Sequence, residues 1–417
     1  MVTDQTLETA FGLAPRTTAR WGDLIRATTG VLACLLVAAM AVIYDGTLRT
    51  TITLRHLQDF GMFDHGARQL RGGEPIYSPA PHQPVYEVAR ALNLNPPHFH
   101  LVLLPLTLLS PEQAFATWMV LSAIALIWSL LLIRRTFTLG VWGTATLVAG
   151  CVLSPAMHTT LLTGQIGVVL LLPATLAFIH SRAGRETTAA IWLGVLASIK
   201  PFFLLFALDF AVRKRWRPLT AMVATGAAIV AAGLILLGPD SYVQWMTQLA
   251  QVNWAEHFVN ASLLGAIERT FAATLWGQHP IVDAPGSVRP LWLIASCVVG
   301  LSTMLALRVT RSPDWRFVMT TSAMLLISPL GWVYYLWFLL PALTGILIDT
   351  SKLPKHALLL VWLGLLAILT PTPLPWHALR STLGTATVGS IYTWGLLCLF
   401  VASITVALRA PVRAAQS

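Results

Sequence analysis

The stretch "AFATWMVLSAIALIWSLLLI", residues 114–133, carries no charge. As a helix it reaches across the roughly 30 Å hydrocarbon layer of a bilayer. Inside that layer no water satisfies backbone N–H and C=O groups, so a helix or a closed barrel is the only solution. Similar runs recur at 25–44, 141–157, 165–180, 187–199, 201–212, 218–237, 290–309, 316–330, 333–348, 356–371 and 387–408, about twelve candidate spans in all. The pair 187–199 and 201–212 is short, with Lys200-Pro201 between its members. "PPHFHLVLLPLTLLS", residues 96–110, is short and proline-rich, which fits an element that dips into the membrane. Of the 417 residues, 56% are hydrophobic and 11% charged, against about 25% charged in soluble proteins. The reading is an all-α polytopic integral membrane protein forming one domain over residues 1–417.

The formal net charge is +10, but the basic residues sit in short loops between apolar runs, where orientation signals belong. Nucleic acid is therefore not an expected partner. With the N-terminal tail (1–24) in the cytoplasm, most of the 27 Lys and Arg residues fall on the cytoplasmic side, including Arg134, Arg135, Arg182, Arg185 and the run Arg213-Lys214-Arg215. The C-terminal tail (409–417) is then also cytoplasmic, and two long segments, 45–113 and 238–289, lie outside. The Ala39-Met40-Ala41 of the first run resembles a cleavage site, yet the spans that follow favour an uncleaved first helix. Cys34, Cys151, Cys297 and Cys398 lie singly in apolar runs and read as packing residues.

Charged and polar residues at the outer ends of these runs are the candidates for chemistry. Asp59 lies in "HLQDFGMFDHGARQLRGGEPIY" (56–77), where His56, Phe60 and Phe63 recur at helical spacing. That pattern predicts an interfacial helix with its apolar side in the membrane and its acids towards water. An ionised carboxylate there suits a general base acting on a hydroxyl; the plainer alternative is an i,i+4 pair with Arg55. Asp64 has the same alternative with Arg68. Lys200 stands at membrane depth, either directed at an anionic headgroup or snorkelling to the interface. Asp209, just before "RKRWR", reads as an interfacial charge partner. Gln165 in "TGQIG", with Asn260, Ser262 and Arg269 in "NASLLGAIER", are ligands, helix caps or loop hydrogen bonds. Asn260-Ala261-Ser262 also has the form of a glycosylation acceptor. His98, His100 and His158 share the outer level, but no HxxH or HExxH pattern links them, so no metal site is expected.

The order of these pieces resembles a known family. "QDFGMFDHGARQLRGGEPIY", "NPPHFHLVLLPLTLLS", "LTGQIGVVLLLPATLAF", "GVLASIKPFFLLFALDF", "NASLLGAIER" and "LLISPLGWVYYLWFLLPAL" together look like glycosyltransferase family 87. These are bacterial polyprenol-phosphate-mannose-dependent mannosyltransferases of the C-type membrane class. The resemblance implies a bacterial cytoplasmic-membrane enzyme with its site on the outer face. Its donor would be a polyprenyl-phosphate sugar and its acceptor a lipid or glycan, with inversion at the sugar and no cofactor. It also implies Asp59 as base on the acceptor, and Lys200, with Gln165, Arg269 and Tyr334, at donor phosphate; Ser262 matches a further polar position. A monophosphate leaving group can be held by Lys, Arg and hydroxyl donors without a metal. Two positions depart from the pattern: Tyr334 replaces a histidine in the Ser-Pro-x-x-Trp-x-His motif, and Asn95 replaces the aromatic of an aromatic-Pro-Pro. A secondary transporter also suits a dozen spans with broken short helices, and a lipid-linked glycan polymerase or ligase would share the phosphate chemistry.

Overall fold

A computed structural model describes residues 58–78, 92–252, 254–273 and 280–409. The expected first span at 25–44, the N-terminal tail, Cys34, the Arg55–Asp59 pair and nearly all of the C-terminal tail lie outside the described residues. Among the described residues regular structure is helical, with one isolated bridge joining Asn260 and Trp332. The chain begins with α1 (Gln58–Gly72) and α2 (Pro97–Leu103), the latter prolonged by a 3-10 turn at Leu104–Leu108. The long α3 (Pro111–Thr136) follows, then α4 (Val141–Leu153), α5 (Pro155–Thr163), α6 (Gly167–Arg182) and α7 (Glu186–Ile199). After a 3-10 turn at Pro201–Leu204 come α8 (Leu205–Val212) and α9 (Trp216–Ala250). Next are α10 (Leu263–Phe271), α11 (Val288–Val309) and α12 (Pro313–Ile327). The last helices are α13 (Leu340–Ile348), α14 (Lys355–Ile368), the short α15 (Pro373–Ala378) and α16 (Thr382–Ala386), and α17 (Ile391–Arg409).

Local chemistry sets these boundaries. Ser110 and Gln113 form a reciprocal capping box at the start of α3, at 3.3 and 3.2 Å, satisfying two of the N–H groups that a helix start leaves open. Ser154 caps α5, so the single run expected at 141–157 breaks at Ser154-Pro155. The run at 333–348 likewise begins as a 3-10 turn (Val333–Leu339) before Pro341 opens α13. In α9, Gly238 adopts φ 74° and ψ 160° ahead of Pro239, which divides the helix. Beyond that break the Tyr242 hydroxyl donates back to the Val230 carbonyl at 3.2 Å.

Among the described residues, four helical stretches are long and apolar enough to cross a membrane: Pro111–Thr136, Trp216–Ala250, Pro285–Val309 and Thr382–Arg409. Their outward faces carry exposed Ile124, Ile127 and Trp128 on α3 and Leu293, Val298 and Leu305 on α11. A soluble protein seldom leaves such continuous apolar surface in water. Close crossings use glycine: a Cβ on Gly194 of α7 would lie 2.5 Å from the Met222 carbonyl of α9, and small residues at a crossing let backbones approach.

Several helices join two polar ends. At one end of α6, α7, α8 and α12, Arg213 makes a two-pronged contact with Asp209 at 2.9 and 2.8 Å and also reaches Glu186. Arg316 stands 3.7 Å from Asp209 and 3.8 Å from Glu186, and Arg182 pairs with Asp314. Asp209 is thus the charge partner its sequence context suggested. Buried ions are tolerated because they are mutually paired. A column of Phe178, Phe317, Phe206, Phe203 and Phe338, with successive centroids between 4.9 and 6.2 Å, fills the middle. The opposite ends of α6 and α7, roughly 24 and 21 Å away by helical rise, carry Gln165 and Lys200.

Candidate active site

The "TGQIG" loop draws this end together. Gly164 closes α5 in the left-handed region at φ 68°, and a Cβ there would sit 2.6 Å from the Phe60 Cβ of α1. Its carbonyl accepts from Trp118 Nε1 at 2.8 Å. A Cβ on Gly167 would stand 2.7 Å from the Tyr334 carbonyl. Two glycines flanking Gln165 therefore let one loop touch both the helix that carries Asp59 and the turn that carries Tyr334. Glycine alone combines positive φ with so close an approach.

Helix α1 packs differently from expectation. Its Phe60 and Phe63 rings lie 5.9 and 6.3 Å from Trp118, and Phe63 meets Phe99 edge-on at 5.5 Å. The apolar side thus faces protein rather than lipid. The acids do not face open water either: Asp64 is 1% exposed and takes Arg68 Nε at 2.7 Å. Arg68 continues to the Thr107 and Leu109 carbonyls at 3.2 and 2.9 Å. Asp64 thus ties α1 to the turn after α2. Asp59 is partly buried, and burial raises its pKa above the ordinary carboxylate value, against hydrogen bonding by Gln165 and Thr163 and the charge of Lys200.

Lys200 is 8% exposed and is held by residues from two separate segments. Its backbone is extended, φ −129° and ψ 96°, as the following proline favours. The ammonium donates to Asn95 Oδ1 at 2.8 Å and lies 5.7 Å over the Tyr335 ring, a cation–π distance. Tyr334 and Tyr335 contact edge to face at 4.7 Å, and both feel the charge of Asp59. Asp59, Gln165, Lys200 and Tyr334 therefore converge. Tyr335, Thr163 and Asn95 join them. Only Asn95 stood out in the sequence, as a departure from a motif; Tyr335 merges into "WVYYLWF" and reads there as interfacial aromatic.

The remaining sequence candidates are placed elsewhere. Arg269, 1% exposed, directs Nη1 and Nη2 to the carbonyls of Glu256, His257 and Asn260 at 2.9–3.3 Å, and Nε to Ser390 Oγ at 3.0 Å. That guanidinium ties the segment after α9 to the turn just before α17, and the structure does not bring it into the constellation around Asp59. Asn260 is fully buried, donating to the Ala255 and Pro329 carbonyls at 2.8 and 2.9 Å and accepting from Gly331 N at 2.9 Å, so it is not placed as a glycan acceptor. Ser262 caps α10 through Gly265 N at 3.1 Å and donates to the Pro329 carbonyl. His100 meets Asn93 Nδ2 at 2.8 Å, and His98 Nδ1 meets the Tyr242 hydroxyl at 2.9 Å. His158 lies beside Thr372. These are fold contacts, none of them part of the constellation around Asp59.

A partly buried carboxylate facing a held ammonium, at one end of a lipid-exposed helical bundle, suits transfer between a polar hydroxyl and a phosphate-bearing substrate. Comparison with known proteins gives the class, a membrane glycosyltransferase. The chain belongs to glycosyltransferase family 87, whose family model matches residues 93–329. That stretch holds Asn95, Gln165 and Lys200 and excludes Asp59 and Tyr334. The chain is 26% identical over 397 residues to an alpha-(1->3)-arabinofuranosyltransferase of Corynebacterium glutamicum, covering 91% of this chain and 86% of the relative. It is 25% identical over 386 residues to a polyprenol-phosphate-mannose-dependent alpha-(1-2)-phosphatidylinositol mannoside mannosyltransferase of Mycobacterium tuberculosis, covering 84% and 85%.

Proposed function

We propose that this chain transfers mannose from a polyprenyl-phosphate donor to a hydroxyl of a lipid or glycan acceptor. The reaction takes place on the outer face of the bacterial cytoplasmic membrane, within a C-type fold of about twelve spans whose termini are cytoplasmic. The observation that carries the reading is the convergence of Asp59 and Lys200. The acceptor oxygen attacks the anomeric carbon from the face opposite the phosphate. Its proton passes to Asp59 as the C1–O bond to phosphate breaks, and polyprenyl phosphate leaves with the bonding electrons. Lys200 stabilises the charge that develops on that phosphate, with the Tyr334 hydroxyl and the Gln165 amide as further donors to it. Lys200, 8% exposed, lies where the low local dielectric strengthens its attraction for phosphate. The name of the Mycobacterium tuberculosis relative supports mannose on polyprenyl phosphate, while that of the Corynebacterium glutamicum relative makes arabinofuranose the second donor to offer.

The test is incorporation of radiolabel into membrane lipids from synthetic polyprenyl-phosphate-mannose, and in parallel from polyprenyl-phosphate-arabinofuranose. Purified wild type and Asp59→Asn are compared. Label from mannose in wild type alone is the expected result. Label from arabinofuranose alone would replace the sugar and keep the mechanism, and near-normal turnover by Asp59→Asn would remove the base.

A further inference from the structure

Lys200 sits between two oxygen acceptors of different kinds. One is the carboxylate of Asp59, whose charge it feels. The other is the neutral amide oxygen of Asn95, which it contacts at 2.8 Å. The charges of the ammonium and the Asp59 carboxylate act on one another, while the ammonium places a hydrogen bond on Asn95. An ion pair between them would tie up the base and withdraw the cation from any phosphate. A neutral acceptor takes one of the three ammonium N–H bonds and leaves the full positive charge available.

Asn95 is itself rigidly held. It is 1% exposed, and its carbonyl accepts from the Tyr77 hydroxyl at 2.7 Å. The Leu94 carbonyl takes Trp245 Nε1 at 3.3 Å from the far limb of α9. Asn93 accepts from the Asn95 N–H at 3.4 Å through Oδ1 and donates to the Met62 carbonyl of α1 at 3.3 Å. A Cβ on Gly66 would stand 2.8 Å from Asn93 Nδ2 and His100 Nε2, so α1 lies directly against this strap. Residues 93–95 thus bridge the helix that carries Asp59 and the ammonium of Lys200, fixing one relative to the other.

We propose that Asn95 is a positioning residue, whose neutral side-chain oxygen holds the Lys200 ammonium apart from Asp59 and aimed at the phosphate of the lipid-linked donor. The proposal rests on the donor role given to Lys200 above. Without the Asn95 oxygen the flexible lysine swings towards Asp59, whose charge already acts on it. The titratable groups around it are Asp59, Tyr335 and, beyond Tyr335, Tyr334.

The experiment measures binding of undecaprenyl monophosphate to the purified full-length protein, together with the pH profile of kcat. It compares wild type, Lys200→Met, Asn95→Leu and Asn95→Asp. A hydrogen bond to a charged group of this kind supports an expected loss of roughly ten- to a hundredfold in phosphate affinity for Asn95→Leu. The acceptor KM is unchanged, and the acid limb of kcat moves to lower pH as the lysine closes on Asp59. A residue that served stability alone would leave that limb where it is. Asn95→Asp keeps the shape but compensates the charge, so it loses phosphate affinity without loss of thermal stability, and it decides the matter if Asn95→Leu does not fold. If Lys200→Met loses binding while both Asn95 variants bind within about threefold of wild type, the positioning role is overturned and the function stands. If Lys200→Met binds normally, the donor role of Lys200 falls first and the positioning role with it.

Discussion

Replacing Gly164 by alanine tests whether the geometry of the "TGQIG" loop sets the position of Asp59. The residue has φ 68°, and its added Cβ would lie 2.6 Å from the Phe60 Cβ. Carbon atoms prefer about 3.5–4.0 Å, so Phe60 and its neighbour Asp59 must retreat by roughly 1 Å. The left-handed backbone costs about 1–2 kcal/mol and the overpacking about 1–3 kcal/mol. A 1 Å misplacement of a reacting group costs on the order of a hundredfold in rate. Gly184 supplies the control: it has φ 74° with nothing within 4 Å of its would-be Cβ, and it sits at the ionic end of the bundle. The assay is sugar transfer with thermal unfolding of each purified variant. Gly164→Ala is expected to lose about two orders of magnitude in kcat, and Gly184→Ala to lose only the stability cost of its backbone. Equal rates in the two variants, or a Gly164→Ala kcat within about threefold of wild type, would refute the account.

Two pH experiments follow from the titrating groups of α1 and α10. Because burial raises Asp59 above the ordinary carboxylate value of 3.8, the acid limb of kcat should lie above that value; a limb at or below it would exclude Asp59 as the titrating base. Glu268 on α10 is raised from 4.5 to about 7, first by burial and then by the charge of Glu256. Its neutral form is favoured in the fold, so its contribution to stability is complete below pH 4.5 and lost as pH rises through about 7. Glu268→Gln should unfold at a higher temperature than wild type at pH 8, by a margin on the order of 1 kcal/mol after solvent screening, and match it at the acid end. The same margin at both ends would show that charge is not the cause.

Much of the helical layout was legible, because an apolar run of crossing length has few structures open to it. What it misjudged was the local break at Ser154, which caps a new helix inside an expected single run, whereas Gly238 divides α9 where the run 218–237 was expected to end. In the candidate site, Lys200 stood out as a charge at membrane depth and Asp59 as an acid on an amphipathic helix. Arg269, Asn260 and Ser262 stood out as polar groups at the ends of apolar runs, and their side chains are taken up by backbone carbonyls and a helix cap. A buried polar group must find a partner, and spacing alone does not distinguish a partner in substrate from one in the backbone. Asn95 could be noticed only as an oddity, since its partner Lys200 lies far along the chain, and the company of Asp59, Thr163 and Tyr335 is likewise made by long-range contacts. The amphipathic reading of α1 found the right face and assigned it to lipid, where Trp118 and Phe99 in fact receive it.

The break in α9 also works as a ruler. From Trp216 to the residue before Gly238 the helix rises about 33 Å, close to the roughly 30 Å thickness of a hydrocarbon layer. Its far limb then reaches Leu94 through Trp245, beside the asparagine that holds Lys200. On the proposed reading, the chemistry is thereby pinned to the plane where oil gives way to headgroups. Bilayer thickness becomes an operating variable of the enzyme. Longer acyl chains draw hydrocarbon over the ammonium and strand the sugar, whereas shorter ones admit water to the leaving phosphate, so turnover should pass through a maximum as lipid length is varied.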